Sequence, residues 1–278
     1  GARDGGGPAS AYHRGTMAIL VFQHGDDAGA GIGRLGPILR DHGFTVDIRR
    51  LDKAAGARNG TSGHAGIGGG MGTGVPGDYD GVQAVISLGG PINVSDAPNL
   101  PWMQREIEYL RGAHERRLPV IGICLGHQLL AAALGGEVAR ATKPEWGFCR
   151  VTQTPPGNTD VMLAGIPWST YQFQSHFCEV TKAPEGATVL ASSPDCRVQC
   201  FKAGLRSYGF QYHFEYTRGQ IEGFARDQAC QKEMAQAGLT PPDLLKQAAE
   251  HADTFDRLSN RLCTNIAAFM FPATARLR

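Results

Sequence analysis

Apolar residues run without interruption through Ala18-Ile-Leu-Val-Phe22, but for Gln83 and Ser87 through Val82–Leu88, and again without interruption through Val120–Cys124. Short continuous runs of this kind are the pattern of strands buried on both faces of a sheet. After the first run a glycine-rich turn leads into a helix through about Asp41. Gly43 stops that helix, and Phe44-Thr-Val-Asp-Ile48 reads as a second strand. Strand–helix–strand at this spacing predicts an α/β protein with an open, mostly parallel sheet flanked by helices. Further helices are expected from about Pro101 to Glu115 and from the end of the third run to Leu134. Residues 145–210 read as short strands and turns. From about Arg218 to Phe271 the chain reads as helical with a break at Pro241-Pro242, and Leu244, Leu245, Ala248, Phe255, Leu258 and Leu262 fall at helical spacing.

Two segments lie outside this pattern. Residues 1–16 are small and polar, and are expected to be disordered or vector-derived, with Met17 a native start. Residues 53–78 carry ten glycines in 26 positions, a composition that cannot bury a core, so a flexible insertion is expected there. The remainder, 17–271, is expected to form a single domain.

Composition narrows the functional classes. Of 278 residues 42% are hydrophobic, and the net charge is +1 with no basic run. Nothing in that balance argues for nucleic acid or an anionic membrane as partner. No apolar stretch reaches membrane-spanning length and no apolar leader opens the chain, so a cytoplasmic protein is expected. Seven cysteines without framework spacing fit a reduced chain; Cys196 and Cys200 lack a second Cys/His pair to complete a zinc site, and no metal or cofactor is expected.

The chemistry gathers at Gly122-Ile-Cys-Leu-Gly126, where an apolar strand enters and an apolar helix leaves. One cysteine between two glycines at such a bend is the sequence of a nucleophile elbow. The helix N-terminus there favours a thiolate at Cys124. Downstream, Tyr208–Thr217 reads as a short strand, which would put His213 and Glu215 on one face, a carboxylate holding an imidazole. Thr217 and Gln220 read as a capping box opening the next helix. Upstream, the strand ending in Gly89-Gly90-Pro91 can aim N–H groups at an oxyanion, with Leu125 as the second donor. Gly31-Ile-Gly-Arg-Leu-Gly36 matches a dinucleotide fingerprint, but it stands eight residues after its strand and Asp52 is only 16 residues on, so its glycines are read as packing residues.

Taken in order, Ser87–Asp96, Ile121–Leu130, Glu145-Trp-Gly147, Ala183–Ser193 and Gly209–Glu215 resemble the class I (triad) glutamine amidotransferases, in particular the stand-alone proteins related to the amidotransferase domain of GMP synthase. The resemblance spans about Met17 to Phe271 and implies a flavodoxin-like fold. It implies Cys124 as nucleophile, His213 as general base and acid, Glu215 as its orienting carboxylate, and Gly90 and Leu125 as the oxyanion hole. Gly89, Gln128, Ser175, His176 and Phe177 fall where the family binds its substrate. Two positions depart from the family: Phe214 replaces the proline of His-Pro-Glu, and His176 is followed by Phe-Cys-Glu where relatives often have Gly-Asp.

The expected reaction is hydrolysis of the glutamine side-chain amide, with ammonia passed on. The sequence contains no phosphate-binding loop of the Walker type, so the chain would not adenylate an acceptor itself. Either a separate synthetase subunit receives the ammonia, or the enzyme is a γ-glutamyl peptidase or transferase working without ATP. A non-catalytic amidotransferase-like module is the third alternative.

Overall fold

In a computed structural model, which describes residues 17–25, 31–51 and 74–271, nine strands form one sheet in the order β2-β1-β3-β4-β9-β8-β7-β5-β6. The first five in that order, β2 (Thr45–Arg50), β1 (Ala18–Gln23), β3 (Val82–Ser87), β4 (Val120–Ile123) and β9 (Ser207–Phe210), are mutually parallel. Every residue of β1, β3 and β4 is buried, the polar Gln23, Gln83 and Ser87 included, as expected of strands covered on both faces. Helices α1 (Leu35–Asp41), α2 (Pro101–Glu115) and α3 (Leu125–Ala133) cover the parallel half. Alternation along the strands divides the core: Ile19 and Val21 face Leu35 and Leu39, while Leu20 and Phe22 face Met103, Leu110 and Leu130.

From β9 the sheet continues antiparallel through β8 (Cys200–Ala203), β7 (Thr188–Ser192), β5 (Glu137–Gln153) and β6 (Ser169–Lys182). The short strands expected over 145–210 are in part a long hairpin: β5 has 17 residues and β6 has 14. The reason for the misreading is local. Lys143, Pro144 and Gly147 interrupt the alternation of β5, and the register slips between Arg140 and Glu145.

The C-terminal region is helical but broken twice. After α4 (Pro155–Thr159), a single turn, come α5 (Arg218–Phe224), α6 (Gln228–Gln236) and α7 (Pro241–Asn265), which a π-type turn extends to Met270. Each of the three is capped by its own sequence: Thr217 with Gln220, Asp227 on Cys230, and Thr240 with Asp243. Pro241 and Pro242 therefore start a helix rather than interrupt one. Phe224, Met234, Leu244 and Phe255 from these helices pack on Trp146, Phe148 and Phe173 of the hairpin.

Residues 1–16 and 53–73 lie outside the described residues. The described end of the expected insertion is anchored: Val75 is buried, and the Tyr109 hydroxyl donates to the Asp78 carbonyl. Among the described residues no helix is long and apolar enough to cross a membrane.

Candidate active site

Cys124 stands between β4 and α3 with φ +52° and ψ −106°. A side-chain-bearing residue is strained in that region and persists there only where its surroundings hold it. Gly122 and Gly126 are what allow the turn. A Cβ at Gly122 would strike the Gly126 carbonyl, and one at Gly126 would strike the Ser87 carbonyl. Backbone bonds from Cys124 N to Phe210 O (2.8 Å) and from Gly126 N to Leu88 O (3.1 Å) fix the bend against both neighbouring strands.

His213 and Glu215 do not lie on a strand, contrary to expectation. β9 ends at Phe210; Gln211 N still bonds Gln199 O, just before β8, but His213 N bonds Phe173 O on β6. The two side chains still meet, with His213 Nδ1 2.6 Å from Glu215 Oε1, both buried. Burial disfavours a charged His213 ring, but Glu215 and then Cys124 overcome it and push its pKa up to about 10. Its other nitrogen, Nε2, is buried and makes no hydrogen bond among the described residues. Tyr216 stacks on the same ring, 4.4 Å between centroids at 12°.

The Gly89-Gly90 turn closes over this pair. A Cβ on Gly89 would lie 2.8 Å from His213 Cε1 and 3.4 Å from Cys124 Cβ, so only glycine lets the turn approach the thiol and the ring together. A Cβ on Gly90 would lie 2.6 Å from that of His24. Leu125, the first residue of α3, has an N–H without an intrahelical acceptor.

A cavity of about 270 Å³ opens over Cys124. Gly90, Leu125, Gln128, Ser175, His176, Phe177 and His213 all line it, so the structure gathers nearly every residue singled out in the sequence; Gly89 sits behind the wall. The Gln128 amide is fixed by donating to Cys178 O (2.8 Å) and Gln211 Oε1 (3.1 Å). His176 is held at both nitrogens, by Glu145 Oε2 at 3.0 Å and Cys178 O at 3.0 Å. Glu145, His176 and Cys196 offer ligand atoms within 4.8 Å of one another. Glu145 Oε2 already accepts hydrogen bonds from His176 and from Gln199 Nε2 (2.6 Å), which accounts for the cluster without a cation.

Sequence reasoning missed a further buried His–Glu pair beneath the Gly89-Gly90 turn, the third in this region among the described residues. His24 Nε2 lies 2.7 Å from Glu106 Oε2 and its Nδ1 lies 3.1 Å from Leu88 O; Ser87 Oγ donates to Glu106 Oε1 at 2.7 Å. Both ring nitrogens face acceptors, so both bonds form when the ring carries two protons. Burial opposes that charge, and Glu106 more than offsets it, raising the pKa of His24. The available signal was Glu106 itself, a charged residue on the apolar face of α2 between Trp102, Met103, Tyr109 and Leu110.

The glycines of 31–36 serve packing, as read. Gly33, at φ +51°, lets the chain lie against the Glu215 carbonyl, which accepts from Arg34 N at 2.8 Å. The Arg34 guanidinium bonds the Tyr216 carbonyl and the side chains of Asp256 and Asn260 on α7.

An open α/β sheet with a strained thiol at a strand-to-helix turn, faced by a His–Glu pair, defines a class of thiol-centred amide-processing folds. The family model described as "Glutamine amidotransferase class-I" matches residues 73–226. A glutamine-hydrolyzing GMP synthase subunit from Sulfurisphaera tokodaii is 38% identical over 159 residues, 56% of this chain and 79% of that one. Its counterpart from Saccharolobus solfataricus is 39% identical over 145 residues, 51% of this chain and 73% of that one. The chain belongs to the class-I glutamine amidotransferase family. A glutamine amidotransferase of Thermotoga maritima superposes with TM-score 0.72 at 20% identity, covering 91% of this chain and 99% of that one, and one from Methylobacillus flagellatus with 0.73 at 22%, covering 91% and 94%. At these identities the two superpositions speak for the fold.

Proposed function

We propose that the protein hydrolyses the side-chain amide of glutamine through Cys124, His213 and Glu215 and passes ammonia to an acceptor. The observation that carries this is the meeting, at one cavity, of a thiol on a strained turn with a buried imidazole that Glu215 keeps charged. The Cys124 thiolate attacks the amide carbon. Negative charge on the former carbonyl oxygen is taken by the N–H groups of Gly90 and Leu125. His213 protonates the departing ammonia, then draws a proton from water as it opens the γ-glutamyl thioester, releasing glutamate and restoring the thiol. Relatives named as one subunit of a glutamine-hydrolysing synthase support a partner chain as the destination of the ammonia.

Incubation with diazo-oxo-norleucine, followed by intact mass, a peptide map and an assay of glutamate release, tests the proposal. Labelling at Cys124 together with glutamate release is expected. No labelling would sink the triad reading and leave a non-catalytic module. Labelling without release would favour another γ-glutamyl amide as substrate. That second reading has support in the cavity wall formed by Ala229, Cys230 and Glu233, which lies beyond the family-matched span.

A further inference from the structure

Among the described residues, one carboxylate lines the cavity over Cys124. Glu215 stands behind His213 and Glu145 behind His176, but Glu233, from α6, lines the cavity directly. Among the described residues no lysine or arginine lines this cavity, and no ion pair engages Glu233. One of its oxygens is steadied by the Trp146 indole, whose Nε1 donates to Glu233 Oε2 at 3.3 Å. Trp146 is itself fixed edge-on between Phe173 and Phe224, 5.5 and 6.2 Å between centroids. A half-buried carboxylate, oriented by a rigid indole and facing a cavity whose charged imidazole, His213, is already paired with Glu215, retains acceptor capacity that a ligand can use.

Glu233 shares its cavity with Cys124 and His213. Tyr216, which stacks on His213, also lines the cavity. Burial keeps its hydroxyl protonated, and the Glu215 carboxylate acts on it in the same direction. Cys124, His213, Tyr216 and Glu233 therefore share the wall of one cavity. A γ-glutamyl group whose amide carbon rests at Cys124 carries its α-ammonium at the far end of a short chain, the end that needs a negative partner.

Building on the glutamine reading above, we propose that Glu233 receives the α-ammonium of the substrate and so restricts the site to γ-glutamyl compounds with a free α-amino group. Glu233 lies beyond residue 226, where the family match ends, so this specificity is a property of the chain's own C-terminal helices. Glu233 is a specificity determinant and takes no part in bond breaking.

The test uses the full chain with Cys124→Ala, which binds without turnover. Calorimetric titration compares L-glutamine with glutaramate, which is glutamine without its α-amino group. L-Glutamine is expected to bind about 10- to 100-fold tighter, the range of a charge-assisted hydrogen bond. Adding Glu233→Gln, which keeps an acceptor for Trp146, should lower glutamine affinity to that of glutaramate and leave glutaramate unchanged. In the chain with Cys124 intact, Glu233→Gln should raise KM for glutamine by the same factor and change kcat less than about twofold. Equal affinity for the two ligands, absence of binding, or a glutamine preference that survives Glu233→Gln would overturn the inference. A Glu233-dependent preference in a chain that releases no glutamate would instead uphold it and remove the hydrolytic reading.

Discussion

His127 and His213 are both fully buried close to Cys124, and their acidities are driven in opposite directions. His127, on the first turn of α3, packs against Phe201, and burial pushes its pKa down to about 3. His213 has Glu215 at 2.6 Å and is pushed up to about 10. Burial alone makes an imidazole neutral; a carboxylate in contact reverses the outcome. Two further histidines refine the point. His24 is paired with Glu106 and His176 with Glu145, yet in each the second nitrogen is tied to a backbone carbonyl. His213 alone of the three leaves its second nitrogen unbonded among the described residues, and that nitrogen shares the cavity with a thiol.

Removing the thiol has the largest expected effect. Cys124→Ala should lower glutamate release by at least about 10⁴-fold while circular dichroism stays unchanged. Glu215→Gln should turn His213 into a second His127, neutral at pH 7 by the chemical shifts of its ring nitrogens, with kcat reduced about 10³- to 10⁴-fold. A kcat within tenfold of the parent would break the comparison. Glu106→Gln should cost about 1–3 kcal/mol in denaturant unfolding and about tenfold in kcat, because the pair supports the Gly89-Gly90 turn without touching substrate. The smallest effects are on the pH dependence of stability. The charged His213 and His24 rings stabilise the fold fully below about pH 6.5. That contribution is lost as pH rises, through about 10 for His213. Glu215→Gln should therefore flatten the alkaline arm of a stability profile. His127 acts oppositely: its neutral form is favoured by folding, so stability falls as pH drops from about 6.5 towards 3, and His127→Gln should flatten that acid arm.

The parallel half of the sheet was legible because each buried strand is a short, mostly apolar run, and the elbow because glycine, cysteine and glycine lie within five residues. His213 and Glu215 were found as a pair from their spacing, although the strand assumed for them ends at Phe210. The long hairpin was not legible, since Pro144 and Gly147 break its pattern in the middle. His24 and Glu106 stand 82 residues apart in the chain, and Glu233 meets Trp146 across 87. Contacts at such separations are made by the fold and leave no motif, apart from a charge on an otherwise apolar helix face.

The contact of Gly33 and Arg34 with the Glu215–Tyr216 backbone bears on how portable this centre is. The carbonyls of Glu215 and Tyr216 are fastened by residues 33–34 and, through Arg34, by Asp256 and Asn260. None of those four residues falls within 73–226, the span that defines the family. A module excised at those boundaries would carry Cys124, His213 and Glu215 and lose the brace behind Glu215. Grafting or minimising this protein therefore requires residues 33–34 and the α7 positions 256 and 260 as well, because they hold the backbone at Glu215 and Tyr216.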